Sequence, residues 1–258
     1  MSCLGHRFHR SPRKEAIAII PSTTVQNRLL HALPAKDFAT LQPDLERVSL
    51  TRATVLAERG TQMTHFYFPE TCLLSLVVSL EAGDEIETGV IGREGMLGAQ
   101  ALLSNAAESQ LTVVQVPGEA LRIPFATVRK EFDRRGTLAA AVGSYVTQLI
   151  SLIAQSAACQ NAHSVSQRCA RWLLMVEDGV GSSTFSLTHE YLATMLGVRR
   201  AGVSTVAANF QKAGLIHYHR GRMEILDRRG LETVACECYE ATRSASGARQ
   251  RRGQAKKS

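Results

Sequence analysis

The residues whose chemistry is most informative lie between positions 186 and 226. Arg199 and Arg200 are followed by Ser204 and Thr205, four and five residues further on. On a helix this spacing places the four side chains on one side. Guanidinium and hydroxyl groups can bond phosphate oxygens and the edges of bases in a major groove. The stretch therefore predicts a surface that contacts nucleic acid.

Two short helices joined by a tight turn are needed to position these side chains. Thr188 is a plausible N-cap for a first helix, whose apolar residues between Tyr191 and Leu196 repeat with the period of a helix. Gly197 can end that helix, and Gly214 can end the second one. The pattern predicts a helix-turn-helix. Residues expected on the inner face of the second helix are Val203, Val206, Ala207 and Phe210.

A two-stranded hairpin is predicted directly after the second helix. Apolar and polar residues alternate on both sides of Arg220-Gly221, which is a typical two-residue hairpin turn. We expect Arg200 to read a guanine and Arg199, Thr188 and Arg222 to contact phosphates. The predicted DNA-binding residues are Thr188, His189, Arg199, Arg200, Ser204, Thr205, Arg220 and Arg222. The alternative interpretation is a small helical subdomain with a solvated basic face.

The sequence resembles a known family at these motifs. The run from Leu187 to Arg200, together with 213–216 and 220–222, is similar to the C-terminal domain of the Crp/Fnr family of bacterial transcription regulators. The resemblance extends over about residues 23–240. It implies a recognition helix that usually opens Arg-Glu with another arginine four residues after the glutamate. The matching positions here are Arg200, Ala201 and Thr205, so we expect a half-site that differs from the usual one.

Length and charge are consistent with two domains and a polyanionic partner. The chain has 258 residues, 45% of them hydrophobic, and a net charge of +7. Acidic residues outnumber basic ones over 15–158, whereas basic residues are concentrated at both ends and over 199–229. We expect the basic ends, residues 1–22 and 243–258, to be disordered.

An N-terminal β-rich region is predicted between Leu45 and Ile123, where short β-prone segments alternate with glycine-containing turns. This pattern favours an antiparallel β-roll, or jelly roll, and the resemblance to the Crp/Fnr family implies that the roll is of the cyclic-nucleotide-binding type. The predicted fold class is α+β, with this roll, a long dimerisation helix and a C-terminal winged helix-turn-helix. The expected divisions are a β-roll at 23–133, a helix and hinge at 134–160 and a DNA-binding domain at 161–242.

A heptad repeat follows the predicted roll, between about residues 137 and 157. Its apolar positions are spaced alternately four and three residues apart, as in a coiled coil. We predict a dimer interface formed by Leu138, Val142, Tyr145, Leu149 and Leu152. The alternative is a helix buried within its own chain.

The roll lacks the residues that would hold a cyclic nucleotide, as far as the resemblance allows them to be placed. The nucleotide-binding members of the family hold the ribose through a Gly-Glu turn and the phosphate through an Arg-Ser or Arg-Thr pair ten residues later. Ala99 occupies the glutamate position, and Ser109-Gln110 occupies that of the pair. We therefore expect an unknown small-molecule effector other than cyclic AMP, or constitutive DNA binding. The residues assigned to the effector pocket are Arg93, Gly98, Ala99, Leu102, Ser109 and Gln110.

The six cysteines suggest no cofactor. There is no CxxC pair, and the N-terminal cysteine cluster that an iron–sulfur member of the family would need is missing. Cys236 and Cys238 could bind a metal with His217 or His219, but one intervening residue is a poor spacing on a helix. We expect these cysteines to be buried and inactive, with no metal. No apolar run of about 18 residues is evident, so we expect a cytoplasmic protein that spans no membrane.

The favoured function is a homodimeric, sequence-specific transcription regulator that binds a palindromic site in double-stranded DNA, with RNA polymerase as a further partner. A cupin-like metalloenzyme is disfavoured because the only His-x-His pair, His217 and His219, falls in the predicted wing. We therefore expect no enzymatic activity. A third interpretation is a ligand sensor whose winged helix contacts protein, for which the arginines opening the second helix have little use.

Overall fold

The computed structural model describes residues 20–81, 85–104 and 106–245. The predicted disordered ends, 1–22 and 243–258, lie almost wholly outside these residues. Two short helices, α1 (Arg28–His31) and α2 (Ala35–Leu41), precede the first strand. The buried side chain of Asn27 caps α1 and donates to the carbonyls of Pro69 and Gly95 at 3.0 and 2.8 Å, which fixes the N-terminal helices to the strands behind them.

Seven antiparallel strands form the roll, in two sheets. The first sheet has the order β1-β7-β3 and the second β2-β6-β4-β5. Their bounds are β1 Glu46–Leu50, β2 Val55–Ala57, β3 His65–Pro69, β4 Leu73–Ser79, β5 Glu85–Ile91, β6 Leu111–Val116 and β7 Gly118–Pro124. The predicted antiparallel β-roll is thus confirmed. The pattern of turns did not reveal the short helix α3 (Ala99–Ser104) between β5 and β6.

The alternation of apolar residues along the strands explains why the two sheets face each other. Phe66 and Phe68 of β3 and Leu121 and Ile123 of β7 are fully buried, two residues apart, and meet Leu74 of the second sheet in one core. Helix α4 (Phe125–Asp133) covers this core and leads into α5 (Thr137–Ala162), a helix of 26 residues.

Helix α5 packs its predicted dimer residues into its own chain. Leu138, Val142, Tyr145 and Leu149 are 2%, 0%, 5% and 6% exposed and belong to the core of the roll, and Leu152 is half-buried against it. A Cβ on Gly95 would lie 2.2 Å from the Tyr145 ring. The prediction that these side chains face a partner was wrong, because their heptad spacing also suits a helix lying along a sheet.

The other side of α5 is exposed and uncharged. None of its 26 residues carries a charge, and an 18-residue window has a mean hydropathy of 1.5 with only 22% of it buried. By length and composition this helix could cross a membrane, so the expectation that no such apolar run exists was wrong. Exposed residues at alternating spacings of four and three are Ala140, Ser144, Thr147, Ser151, Ala154, Ala158 and Asn161.

A second apolar core organises the C-terminal part. Its helices and strands are α6 Val165–Val180, β8 Thr184–Ser186, α7 His189–Leu196, α8 Arg200–Lys212, β9 Ile216–His219, β10 Arg222–Ile225, α9 Arg228–Val234 and α10 Cys238–Ala245. Ser164 and Gln167 form a capping box at the start of α6, and Gly181 ends it with φ 75°. This core also includes Leu73, Val90 and Val116 from the roll, so the two parts pack against each other.

Close backbone contacts join the roll to α6. The amide of Arg93 donates to the carbonyl of Gly179 at 2.9 Å, and a Cβ on Gly92 would lie 2.5 Å from the Cα of Gly179. Beside them, Nε1 of Trp172 donates to the buried carboxyl of Glu87 at 2.8 Å. Positions 92 and 179 both require glycine because the two backbones lie too close for a side chain at either position.

Candidate DNA interface

One capping residue and one glycine fix the two ends of α7, and the glycine leads into the turn before α8. The hydroxyl of Thr188 accepts the amide of Tyr191 at 3.3 Å, as an N-cap does. Gly197 ends α7 in the left-handed conformation, with φ 60° and ψ 40°, and the amide of Val198 then bonds to the carbonyl of Ala193 at 3.0 Å. The predicted helix-turn-helix is confirmed at these residues.

Helix α8 presents two arginines at its start. Arg200 is its first residue and Arg199 its N-cap, and both are exposed, as is Thr205 one turn later. Asn209 extends the same line by another turn and is also exposed. Its side chain can bond the edge of an adenine, and the spacing of four residues from Thr205 would have identified it from the sequence. The inner face is buried through Val203, Ala207 and Phe210.

Two predicted contact residues instead bond to each other. Nδ1 of His189 lies 3.1 Å from the hydroxyl of Ser204, and the His189 ring stacks on Tyr218 with centroids 4.2 Å apart. Burial and the nearby charge of Arg200 lower the pKa of His189, which favours a neutral ring. His189 and Ser204 thus tie α7, α8 and β9 together and support the arginine surface from behind.

The wing is a three-stranded sheet with the order β8-β10-β9. Arg220 and Gly221 both have positive φ, 46° and 80°, as a two-residue turn of type I′ requires. Arg222 begins β10 and pairs with His219 and with Ser186 of β8. Sequence patterns predicted the hairpin but not β8, whose three residues are too few to show an alternation.

One basic residue of the roll reaches this surface. The guanidinium of Arg52 bonds to the hydroxyl of Ser186 and lies over the ring of Tyr191, 5.6 Å from its centroid. Nothing in its local sequence indicates this contact, because it joins residues more than 130 positions apart. It adds a positive charge beside the helix-turn-helix.

Arg228 does not belong to the DNA surface, although it adds to the basic bias of 199–229. Its guanidinium pairs with Glu177, Asp178 and Glu232 at 2.7, 3.0 and 3.1 Å. Burial acts to lower the pKa of Arg228, but the charges of Asp178, Tyr239 and Glu177 outweigh it and raise that pKa. It joins α6 to α9 and is electrically neutralised there.

An open cleft of about 770 Å³ lies between α7, α8 and the wing. Two arginines, Arg200 and Arg220, and one acid, Glu190, are among the residues that line it. The lining residues are Thr188, His189, Glu190, Tyr191, Thr194, Arg200, Tyr218, Arg220 and Gly221.

The turn assigned to an effector offers few groups for binding. Gly98 has φ 98°, and a Cβ there would lie 2.6 Å from Phe66; Ala99 and Leu102 are each only 2% exposed. The hydroxyl of Ser109 lies 3.4 Å from the side-chain oxygen of Gln100. The Oε1 of Gln110 is buried with no hydrogen-bond partner among the described residues.

Arg93 does not approach that turn. Its Nε donates to the carbonyl of Asp178 at 3.1 Å, and its guanidinium lies against Gly181 at the end of α6. The assignment of Arg93 to an effector pocket, as a substitute phosphate contact, was therefore wrong. Sequence proximity to Gly98 was misleading because the chain turns at residues 92–95 and Leu97 then pairs with Tyr67 of the other sheet.

The cysteines near the C-terminus are buried, as predicted, but their surroundings were not predicted. Cys236 and Cys238 lie beside Cys159 and His163 at the end of α5. The histidines suggested from the sequence, His217 and His219, belong to β9 in the wing. Tertiary packing alone brings the four residues together.

Comparisons with known proteins agree with this arrangement. Residues 47–135 match the model of the cyclic nucleotide-binding domain, and residues 167–234 match that of the Crp-like helix-turn-helix domain. A structure described as a crp/fnr family transcriptional regulator from Eubacterium rectale is 20% identical, with a TM-score of 0.59, over 80% of this chain and 97% of that one. Among curated proteins none matches the chain.

Two further solved structures have the same fold. A CRP family transcriptional regulator from Thermus thermophilus is 21% identical, with a TM-score of 0.60, over 74% of this chain and 96% of that one. FixK2 from Bradyrhizobium japonicum is 12% identical, with a TM-score of 0.62, over 74% and 98% of the respective chains.

A cyclic-nucleotide-type β-roll joined to a winged helix-turn-helix with exposed arginines defines a DNA-binding transcription regulator. The two domain models together match more than half of the chain. The chain belongs to the Crp/Fnr family of transcriptional regulators.

Proposed function

We propose that this regulator binds a palindromic DNA site as a homodimer, with α8 of each subunit in a major groove. The observation that carries the proposal is the exposure of Arg199 and Arg200 at the start of α8, beside Arg220 and Arg222 on the wing. A helix that opens with two exposed guanidinium groups matches the way helix-turn-helix proteins contact base edges. RNA polymerase is a further expected partner.

Each arginine has a distinct role in this proposal. Arg200, within the first turn of α8, reads a guanine through its two parallel donors. Arg199, Arg222 and the backbone near Thr188 position the protein on phosphates. Thr205 and Asn209 follow on the exposed face of α8 and contact the neighbouring bases. Ser204 and His189 act through their mutual hydrogen bond.

The dimer forms through the outer face of α5. This face repeats every three or four residues, is lined by alanine, serine and threonine, and leaves Ile150 62% exposed. Small side chains allow two such helices to approach closely, and a spacing of 3.5 residues lets them remain in contact along their length. A second copy, rather than lipid, covers this face because Val142 and Tyr145 on the opposite side lie in the core of the roll.

The roll does not use cyclic AMP as its effector. Ala99 and Leu102 fill the turn with apolar side chains, and Arg93 is engaged with α6. The cavity between α5, α6, α10 and the roll has a volume of about 80 Å³, well below the ~300 Å³ of typical ligand pockets. An effector bound in this cavity would have to be smaller than a nucleotide.

Selection of bound fragments from the organism's genomic DNA tests the proposal. Purified full-length protein should enrich fragments that share an inverted repeat whose half-sites are separated by one helical turn, ~10 bp, or a multiple of it. Enrichment of DNA without a shared motif would contradict sequence-specific recognition. A motif without symmetry would contradict binding as a two-fold dimer.

A further inference from the structure

Four potential metal ligands meet where α5 ends and α10 begins. The Sγ of Cys159 lies 3.5 Å from that of Cys236, and the Sγ of Cys238 lies 3.6 Å from Nδ1 of His163. The four ligand atoms all lie within 4.8 Å of one another. The three thiols are between 1% and 4% exposed. We refer to these four residues as the Cys3His cluster.

These distances suit one tetrahedral zinc ion. Zinc binds thiolate sulfur at about 2.3 Å and imidazole nitrogen at about 2.0 Å, so neighbouring ligand atoms of a tetrahedron are separated by about 3.5 to 3.8 Å. The two closest pairs in the Cys3His cluster are already near this separation. Three thiolates and one imidazole form a complete ligand set of the structural type, with no open position for a substrate.

The backbone explains how ligands with unusual sequence spacing converge. Cys159 and His163 are four residues apart, on one face at the last turn of α5, and His163 ends that helix with φ −118°. Cys236 precedes α10 and Cys238 is its first residue. One intervening residue is a poor spacing for two ligands on one helix, but here only one of the two cysteines is helical.

Groups around the cluster suit a bound metal. Nε2 of His163 lies 3.2 Å from a carboxylate oxygen of Glu237, an arrangement that leaves Nδ1 to bind metal. The amide of Gln155 donates to the sulfur of Cys238 at 3.0 Å. Three thiolates with Zn²⁺ carry one net negative charge. Arg171 is only 7% exposed, its charge acts on Cys159, and its Nε has no hydrogen-bond partner among the described residues.

We propose that Cys159, His163, Cys236 and Cys238 form a structural zinc site that joins the end of α5 to α10. The site does not depend on the DNA-binding proposal, since none of its ligands lies on α7, α8 or the wing. It would fix the last helix of the winged domain to the proposed dimerisation helix, and so limit how the DNA-binding surface turns relative to the dimer.

Metal analysis of the untagged, full-length protein tests the site. Protein purified under reducing conditions and dialysed against metal-free buffer should retain about one zinc ion per chain. Cys238→Ser and His163→Ala should each lose most of this zinc, whereas Cys169→Ser, a matched change at a buried cysteine of α6 outside the cluster, should keep it. Circular dichroism would establish that each variant is folded; His163, the most exposed ligand, is the safest of the changes.

Cobalt substitution gives a readout that distinguishes this site from other metal binding. With Co²⁺ as the probe, the wild type and Cys169→Ser should show a thiolate-to-cobalt charge-transfer band and the strong visible bands of tetrahedral cobalt, and Cys238→Ser should lose the thiolate band. Equal zinc retention in the wild type, His163→Ala and Cys238→Ser would overturn the proposal, because the metal would then be held elsewhere, for example by His6 and His9. Zinc-free protein in which air oxidation links Cys159 to Cys236 would overturn it in favour of a disulfide.

Discussion

At the start of α8, two adjacent arginines occupy different backbone positions, and for this reason we propose different roles for them in DNA binding. Arg200 lies in the first helical turn and close enough to His189 for its charge to lower the pKa of that ring. Arg199 is the N-cap, in an extended conformation outside the helix. A residue in the first turn enters the groove with the helix, whereas a capping residue faces the adjacent backbone.

Replacing Arg200 by alanine should therefore reduce both affinity and specificity. We expect a loss of about 1 to 3 kcal/mol in binding free energy at the selected site and relaxed preference at one base pair. Fluorescence anisotropy with the selected site and with each single-base variant would measure both effects. Arg134→Ala, which removes the same charge before α5, should leave discrimination unchanged. Undiminished discrimination by Arg200→Ala would contradict its assignment to a base.

Arg220 holds a conformation that arginine rarely adopts. Its φ of 46° lies in the left-handed region, which asparagine tolerates better. Arg220→Asn should stabilise the wing by about 0.5 to 1 kcal/mol while reducing the slope of log affinity against log salt by about 0.9, the loss of one phosphate contact. Urea denaturation and DNA titrations at several salt concentrations would measure the two effects. A more stable variant with the wild-type salt slope would show that Arg220 does not contact DNA.

Residue types and short spacings identified the arginines, the N-cap and the turn glycines, because local backbone geometry decides their positions. They did not reveal the pairing of His189 with Ser204 or the contact of Arg52 with Ser186. The Cys3His cluster was missed for the same reason, since the residues of its two closest pairs are 75 and 77 positions apart. Such contacts depend on how helices pack, which residue spacing does not encode.

At the scale of the elements, α5 carries two heptad patterns offset by two residues. The inner pattern of large apolar side chains, including Val142 and Tyr145, fills the core of the roll. The outer pattern of small uncharged side chains, from Ala140 to Asn161, is exposed. Periodicity predicted a heptad helix but could not decide which pattern meets a partner, because burial in a sheet and in a coiled coil favours the same large residues.

A charge on the outer face should dissociate the proposed dimer. Ile150→Glu would place a carboxylate between two apolar helices, where it has no partner, and we expect a folded monomer by sedimentation that binds the palindromic site poorly. Leu103→Glu, which alters a leucine of similar exposure on α3, should remain dimeric. A dimeric Ile150→Glu protein would exclude this interface. Tyr145→Glu should instead unfold the roll, because that side chain lies in its core.

The contact between β5 and α6 should respond to pH. Burial raises the pKa of Glu87 to about 7 from its ordinary 4.5, although hydrogen bonds from Ser75 and Trp172 oppose the shift. Between pH 4.5 and about 7, Glu87 keeps its proton in the folded protein but has lost it in the unfolded chain. Stability therefore falls as pH rises from about 4.5 to 7 and does not recover above that.

Glu87→Gln removes this titration while keeping an acceptor for Trp172. The variant should match the wild type near pH 4.5 and exceed its unfolding free energy by about 1 to 3 kcal/mol at pH 8. Urea denaturation at both pH values would measure the difference. Glu85→Gln, an exposed change on the same strand, should give the wild-type pH dependence. Parallel pH profiles for Glu87→Gln and the wild type would contradict the buried, protonated carboxyl.

For the whole molecule, the order of domains was predictable and their contact was not. The change from β-rich segments to a long helix and then to capped short helices identified the architecture, because each pattern has its own period. The close approach of Gly92 to Gly179 and the packing of Leu73 and Val90 on the C-terminal core join distant parts of the chain. No local pattern distinguishes these residues from ordinary strand and helix positions.

Because Ala99 and Ser109-Gln110 stand where the resemblance places the two nucleotide contacts, we predict that cyclic nucleotides do not regulate the protein. Isothermal titration with cyclic AMP or cyclic GMP up to about 1 mM should give no saturable heat, which limits any binding free energy to about −4 kcal/mol. As a control, the affinity of the protein for its selected DNA site should be the same with and without either nucleotide. Micromolar binding accompanied by tighter binding to the selected site would contradict the proposal and require a phosphate contact outside the turn at Gly98.

Trp172, whose indole donates a hydrogen bond to Glu87, gives the protein an intrinsic fluorescence signal. Trp172 is the only tryptophan in the chain, and it lies where α6 meets the roll. Its emission therefore comes from one defined boundary, and separation of the two domains would expose the indole to water and shift that emission to longer wavelength. Stopped-flow fluorescence during DNA binding could thus follow domain movement directly, in unlabelled protein and on the timescale of the reaction.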